Sequence, residues 1–282
     1  MSHGHRSIKN NSNQAMNSQK DWTKISRASS KIERMEAFFS GYEFSPHRHD
    51  TYALGITLNG VHHFNYQKSM RRSLPGNAVI IHPDELHDGE AGTEAGFHYK
   101  ILYLQTETIQ QILGGKPLPF IPGGISSDQR LVSAIANLLS NLDLQLDSLE
   151  EDDGIYDIAQ ALHGASQPHK RRKKLNYQAA ELARQFMLDT SGQVVTMEHL
   201  EQVSGTDRWS LSRDFRALFG TSPYRYLSLR RLEKAKKMII TGNALADVAA
   251  ACGFTDQSHM THHFSKVYGL PPGRWSKLML RA

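Results

Sequence analysis

At 282 residues, 39% hydrophobic and 22% charged, the chain is long enough for two domains and has the composition of a soluble globular protein. Its net charge of +5 is unevenly spread: residues 170–282 hold 19 Lys and Arg against 9 Asp and Glu, whereas residues 1–169 hold 14 against 19. One cysteine, Cys252, excludes an internal disulfide, no apolar run approaches the roughly 20 residues of a membrane helix, and the polar N-terminus has no secretory core. A cytoplasmic protein with no membrane partner is expected.

Residues 1–30 are rich in Ser, Asn, Gln and His and poor in large apolar side chains, so they are read as a largely disordered tail. Between Met35 and Gln105 the pattern turns to strand. Residues 37–44, 52–58, 61–66, 78–81 and 98–105 are rich in β-formers, with a turn at Pro75-Gly76-Asn77. Asn59-Gly60 between two such runs predicts a tight hairpin. Short strands without long helices between them predict a small antiparallel barrel or jelly roll over residues 31–127.

Residues 106–113 read as a helix that stops at Gly114-Gly115, followed by a Pro/Gly loop with one strand at 119–122. A continuous amphipathic helix is expected over residues 128–149. Its apolar positions Leu131, Ile135, Leu138 and Leu142 fall at near-heptad spacing, widened by Val132, Leu139 and Leu146. With a short helix at 155–163, residues 128–163 are read as a homodimerisation element; packing of the same face on the barrel stays open. Residues 164–174 form a linker ending in Lys170-Arg171-Arg172-Lys173-Lys174, suited to phosphate contacts without sequence preference.

The last third, residues 175–282, repeats itself. Asp207, Phe215, Gly220, Pro223 and Arg225 recur 49 positions later as Asp256, Phe264, Gly269, Pro272 and Arg274. Asp207 and Asp256 read as helix N-caps, and the glycines suit the left-handed residue ending each helix. A short helix and a glycine-containing turn precede each cap, at 197–203 and 244–252. Short helix, tight turn and capped second helix make a helix-turn-helix, whose second helix enters the DNA major groove. A plain helical bundle has the same periodicity, but the polar faces and the basic balance favour double-stranded DNA. The candidate contacts are Arg208, Trp209, Ser212, Arg213 and Arg216 on the first recognition helix, and Gln257, Ser258, His259, Thr261 and His262 on the second. Ser222 is expected to cap a long connecting helix over 223–240.

Residues 175–280 closely resemble the AraC-type (AraC/XylS) transcription regulators. The matching text is Leu211-Ser212-Arg213-Asp214-Phe215-Arg216, Phe219-Gly220-Thr221-Ser222-Pro223-Tyr224-Arg225-Tyr226-Leu227, Arg230-Arg231-Leu232-Glu233-Lys234-Ala235 and Ala249-Ala250-Ala251-Cys252-Gly253-Phe254-Thr255-Asp256-Gln257-Ser258. Many members have arginine where this chain has His262, which removes a bidentate fork from that position. The segment holding His47-Arg48-His49-Asp50, Gly60, Pro75-Gly76-Asn77 and His82-Pro83-Asp84-Glu85-Leu86-His87-Asp88 resembles the cupin-like sensor domain of the same family. The resemblance implies a two-domain α+β regulator: an N-terminal antiparallel β cupin-like jelly-roll barrel holding a small effector, and a C-terminal all-α domain of two helix-turn-helix motifs. It also implies a homodimer and a contact with RNA polymerase, and favours an activator.

His47, His49 and His87 could form a facial metal site, as in enzymatic cupins. The glutamate that usually follows the second histidine is missing, since Ala53, Leu54 and Gly55 stand in that region. The reading therefore assigns His47, His49, Tyr52 and His87 to hydrogen bonds with a polar effector, with no metal, cofactor or catalytic residue. A metal-dependent cupin enzyme fused to a DNA-binding domain, and a ligand-independent dimeric regulator, remain as alternatives.

Overall fold

The computed structural model describes residues 21–26, 31–166 and 174–279. Most of the predicted tail and basic linker therefore lies outside the described residues. Among these, ten strands follow in order: β1 (Trp22–Ile25), β2 (Ile32–Phe39), β3 (Tyr42–His47), β4 (Tyr52–Gly60), β5 (His62–Tyr66), β6 (Ser69–Ser73), β7 (Ala78–Ile81), β8 (His87–Ala91), β9 (Phe97–Leu104) and β10 (Ile125–Ser126). They make two antiparallel sheets, ordered β1-β2-β9-β4-β7-β10 and β3-β8-β5-β6. Trp22–Ile25 belongs to the segment read as a tail; it pairs with β2, Trp22 opposite Phe38, and so borrows order from a sheet edge rather than a core of its own.

The larger sheet is covered on both faces. Alternate residues Ala53, Val79 and Ile81 meet Phe64 and Tyr66 of the smaller sheet. The intervening Tyr52, Leu54, Ile56, Ile80, Leu102 and Leu104 pack against three helices, α1 (Thr106–Leu113), α2 (Gln129–Leu138) and α3 (Ser148–Ala165). This is why β4 reads as an almost continuous apolar run.

The expected hairpin at Asn59-Gly60 does not form. β4 pairs with β7 and β9, β5 with β6 and β8, so the chain changes sheets there. The register slips between Thr57 and Asn59, and Gly60 adopts φ +74°, where a Cβ would lie 2.1 Å from the Gly96 carbonyl oxygen. The Asn-Gly signal marked a left-handed turn, but as a corner between sheets. The tight hairpin is β5–β6, turned by Gln67 (φ 52°) and Lys68 (φ 63°). The strand expected at 119–122 is likewise absent: a short 3-10 turn, Pro122–Gly124, leads into β10.

The predicted helix over 128–149 is two helices. Arg34 on β2, fully buried, donates to the carbonyls of Leu138 (3.0 Å), Asn141 (3.2 Å) and Leu144 (2.8 Å), which satisfies the acceptors a continuing helix would have used. Asp147 then caps α3 through the Leu149 amide at 2.8 Å. The proposed dimer seam is consequently corrected. Leu131, Ile135, Leu138 and Leu142 are 0–4% exposed within this chain, the first three in the core beneath the sheet. α3 packs so closely on α2 that a Cβ at Gly154 would lie 2.5 Å from Leu138 Cδ2. The heptad-like stripe was a core stripe.

The C-terminal domain follows the sequence closely. Its helices are α4 (Tyr177–Asp189), α5 (Met197–Ser204), α6 (Arg208–Phe219), α7 (Pro223–Ile240), α8 (Leu245–Ala251), α9 (Gln257–Tyr268) and α10 (Pro272–Met279). Asp207, Ser222 and Asp256 cap α6, α7 and α9, and Gly220 (φ 76°) and Gly269 (φ 73°) end α6 and α9 in the left-handed conformation. Two apolar cores form, and α7 belongs to both: Tyr226 and Leu227 enter the first with Leu211, Phe215 and Leu218, while Leu232, Ala235 and Ile239 enter the second with Val248, Met260 and Phe264. Cys252 is fully buried in the second core, and burial pushes its thiol pKa up, as a packed small hydrophobe requires.

Candidate functional site

The first candidate recognition helix, α6, is fixed at its base and exposed along its candidate DNA-contacting face. Asp207 accepts from the amides of Trp209 (3.1 Å) and Ser210 (3.0 Å). Trp209 is 79% exposed on the first turn, too open to be core. Arg213 projects beside it, its guanidinium 2.9 Å from Asp214, whose buried carboxylate also takes the Asn176 amide at 3.0 Å. Arg208 is placed differently: it lies against Glu201 of α5 at 2.5 Å, and its amide donates to the same carboxylate at 2.7 Å. It clasps the two helices of the motif together. Arg216 bonds Ser212, through its carbonyl at 3.0 Å and through its hydroxyl.

On α9, Gln257, Ser258 and His262 are exposed, and His259 and Thr261 half-buried. The His259 amide donates to Asp256 at 2.7 Å, and its ring lies 4.7 Å from that of His263, 73° out of plane. His263 was not among the residues expected to matter. It packs beside Phe254, and burial together with the neighbouring His259, His262 and Lys266 lowers its pKa. A cationic second helix is therefore harder to assemble from histidine than it would be from arginine.

In the barrel, cross-strand pairing sets His47 of β3 opposite His87 of β8, and His49 follows in the loop before β4. One ring nitrogen from each lies within 4.8 Å of the others. Burial is the main force lowering the pKa of His49 to about 4 and of His87 to about 3, so both are neutral at pH 7. Tyr52, expected with them, is elsewhere. Strand alternation turns it to the opposite face of the sheet, where it is 1% exposed and its hydroxyl donates to the Pro119 carbonyl at 2.7 Å.

Of the spaces adjoining the histidines, two touch more than one of them. A cavity of about 50 Å³ between the sheets is lined by His47, His49, His87, Ala53, Ile101 and Tyr103. Outside it, a cleft of about 870 Å³ runs between barrel and DNA-binding domain, past Lys31, Arg48, His49, Glu233, Lys236 and Tyr268. The domains are clasped beside this cleft. Asp84 lies 2.6 Å from Arg225 Nε and accepts from the Thr221 hydroxyl at 3.1 Å. Asp50 pairs with Arg230, whose guanidinium also lies 5.1 Å from the Tyr226 ring centre. The Tyr226 hydroxyl donates to Glu107 of α1 at 2.7 Å, and the Leu118 amide to the Ala217 carbonyl of α6 at 3.0 Å. Sequence reasoning missed this set. Asp50 and Asp84 stood in the quoted motifs, but nothing in one sequence says which arginine each will meet.

A family model described as an AraC-like ligand binding domain matches residues 30–187, and one described as a helix-turn-helix domain matches residues 200–278. The chain belongs to the AraC family of transcription regulators. Among its relatives, the uncharacterized HTH-type transcriptional regulator YbfI of Bacillus subtilis is 24% identical over 77% of this chain and 82% of its own. The transcriptional activator RhaR of Klebsiella pneumoniae is 32% identical over 34% of this chain and 32% of its own. The fold is that of ToxT from Vibrio cholerae, with a TM-score of 0.59 over 88% of this chain and 98% of that one at 9% identity. These relatives are regulators, so the fused-enzyme alternative is set aside. An AraC-like ligand-binding barrel thus sits beside a helix-turn-helix domain, and here ion pairs join the barrel to α7.

Proposed function

We propose that this AraC-family chain is an effector-responsive regulator whose small-molecule ligand enters the cleft between barrel and α7 and alters DNA binding by changing the clasp on α7. The observation that carries this reading is the cleft itself. At about 870 Å³ it falls in the range of small-molecule sites, roughly 300–1,000 Å³. Its walls come from both domains, so a ligand there has different contacts when the domains part, which is what shifting an equilibrium requires. Lys31, Arg48 and Lys236 line it together with Glu33, Asp50 and Glu233, and the chemistry fits a polar or ionic effector. ToxT has been solved with an unsaturated fatty acid bound; the likeness to it concerns the fold, and the effector class here is argued from this cleft alone.

Trp209, Ser212 and Arg213 read bases for one half-site, while Gln257, Ser258, His259, Thr261 and His262 serve the second more weakly. Arg208 acts through Glu201, holding the motif together, and Arg216 braces the same helix. Activation through a contact with RNA polymerase is what the family resemblance suggests, and the activator RhaR is 32% identical over 34% of this chain. A homodimer, if formed, uses a surface other than Leu131, Ile135, Leu138 and Leu142.

Calorimetric titration with a panel of polar metabolites, followed by fluorescence anisotropy on the selected DNA site, tests the proposal. A ligand that binds wild type, binds Lys236→Ala at least ten-fold more weakly and changes DNA affinity about 5–150-fold fits it. A ligand that binds with no effect on DNA affinity contradicts it.

A further inference from the structure

We propose that His47, His49 and His87 form a divalent transition-metal site that staples together the two loops clasping α7. The inference deepens the reading of the sensor domain and rests on that reading only for its regulatory consequence.

The donor set comes first. The Nδ1 atoms face backbone carbonyls: His47 on Ser45 at 2.9 Å, His49 on Thr51 at 2.9 Å and His87 on Glu85 at 3.0 Å. A carbonyl oxygen only accepts, so in the neutral rings each Nδ1 carries the proton and each lone pair lies on Nε2. A carbonyl behind Nδ1 is also what orients histidines that ligate metals. Three rings sharing that arrangement form a preset donor triad. His49 Nε2 is moreover buried without a hydrogen-bond partner, an arrangement that is costly unless something accepts its lone pair.

Size decides what fits. The inner cavity of about 50 Å³ is several-fold smaller than a metabolite site but holds an ion with one or two waters. A metal with bonds of about 2.1 Å draws tetrahedral nitrogens to roughly 3.4 Å apart. One ring nitrogen from each histidine now lies within 4.8 Å of the others, so the donors close by about 1.4 Å, within reach of small side-chain rotations. Three imidazoles and no carboxylate among these donors select zinc, cobalt, nickel or iron(II) over magnesium or calcium. His47 and His49 also line the outer cleft, so remaining coordination positions face the effector space.

The position of the triad gives it a readout. His47 and His49 alternate with Arg48 and Asp50, and Asp50 holds Arg230. His87 closes the loop that carries Asp84, which holds Arg225. The Asp84 amide donates to the His49 carbonyl at 2.7 Å, so the two loops already touch. A metal shared by both fixes the separation of the two carboxylates that grip α7.

The test uses the full chain, stripped with chelator, dialysed and titrated with cobalt(II) and, separately, zinc(II), with calorimetry, elemental analysis and the cobalt absorption spectrum as readouts. The site predicts one metal per chain, a cobalt spectrum of nitrogen coordination, and at least ~100-fold weaker binding in His49→Ala and in both His87→Ala and His87→Gln. His3→Ala/His5→Ala, which removes the N-terminal histidines, should leave that binding intact. No metal beyond what His3→Ala/His5→Ala abolishes, or equal binding by folded His87→Gln, overturns the site. If stripped wild type binds no metal yet keeps sequence-specific, effector-dependent DNA binding, the metal site fails and the regulator reading stands. If it binds one metal through the triad but selects no DNA sequence, the site stands and the regulator reading fails.

Discussion

Replacing Asp50 and Asp84 together by asparagine isolates the charge of the clasp. Asparagine tolerates the left-handed φ of +62° at position 84, and its amide oxygen can still accept from Thr221, so only the ion pairs are lost. Asp84 and Arg225 side chains are 26% and 29% exposed; solvent screening limits that pair to about 1 kcal/mol. Asp50 and Arg230 are 12% and 14% exposed, but Arg230 keeps Glu233 at 3.2 Å, so the loss there is again about 1 kcal/mol. The two sites share neighbours, and the sum of about 2 kcal/mol is an upper figure for their joint effect. For a domain of this size, ~2 kcal/mol corresponds to a fall of roughly 8–16 °C in the transition that the interface had supported. Scanning calorimetry should therefore show the DNA-binding domain of Asp50→Asn/Asp84→Asn melting separately and earlier, with the barrel transition little changed. A variant that melts as wild type does, with the same midpoint, refutes a clasp that couples the domains.

Arg213→Ala should weaken binding to the selected DNA site by about 1–3 kcal/mol and flatten preference at one base pair, checked by anisotropy on specific and random duplexes; equal loss on both would falsify base reading by Arg213. Leu138→Ala should destabilise the barrel by roughly 2–5 kcal/mol in urea unfolding, because the side chain is 2% exposed; a fully stable variant with altered oligomeric state would instead restore the dimer-seam reading. His82 is 4% exposed, its Nε2 accepts from the Ile121 amide at 2.9 Å, and burial lowers its pKa to about 3. The native state thus binds fewer protons than the unfolded chain below an unfolded pKa of about 6.5, and this contribution, complete above that pH, is lost at ~1.4 kcal/mol per pH unit on acidification. His82→Gln should be less stable than wild type at pH 7.5, with the gap narrowing by about 2 kcal/mol at pH 5; a gap independent of pH counts against a neutral buried His82.

The DNA-binding domain was legible because its signals are local. Caps at Asp207, Ser222 and Asp256 and glycines at 220 and 269 fix helix ends within a few residues, and all of them formed. The barrel was legible as a class but not in its connections, since Asn59-Gly60 marks a left-handed turn without saying which strands will pair. The stripe of Leu131, Ile135 and Leu138 shows why periodicity misleads about partners: a helix facing a sheet and a helix facing a twin carry the same pattern. What broke the predicted helix was Arg34, more than a hundred residues away in sequence. The histidine triad was visible as residues, while its geometry depended on the His47–His87 register. Tyr52 was assigned to the wrong face because the strand's phase was unknown until the pairing was.

The most direct test of the central claim is selection of bound duplexes from a random library by the full chain, followed by footprinting of the enriched site. A double helix-turn-helix regulator predicts two protected half-sites about one helical turn apart on one face of the duplex. The half-site nearer α6 should be lost in Trp209→Ala and Arg213→Ala, and the other should persist more weakly. A library that yields no enriched sequence, or protection that both variants leave unchanged, contradicts the account.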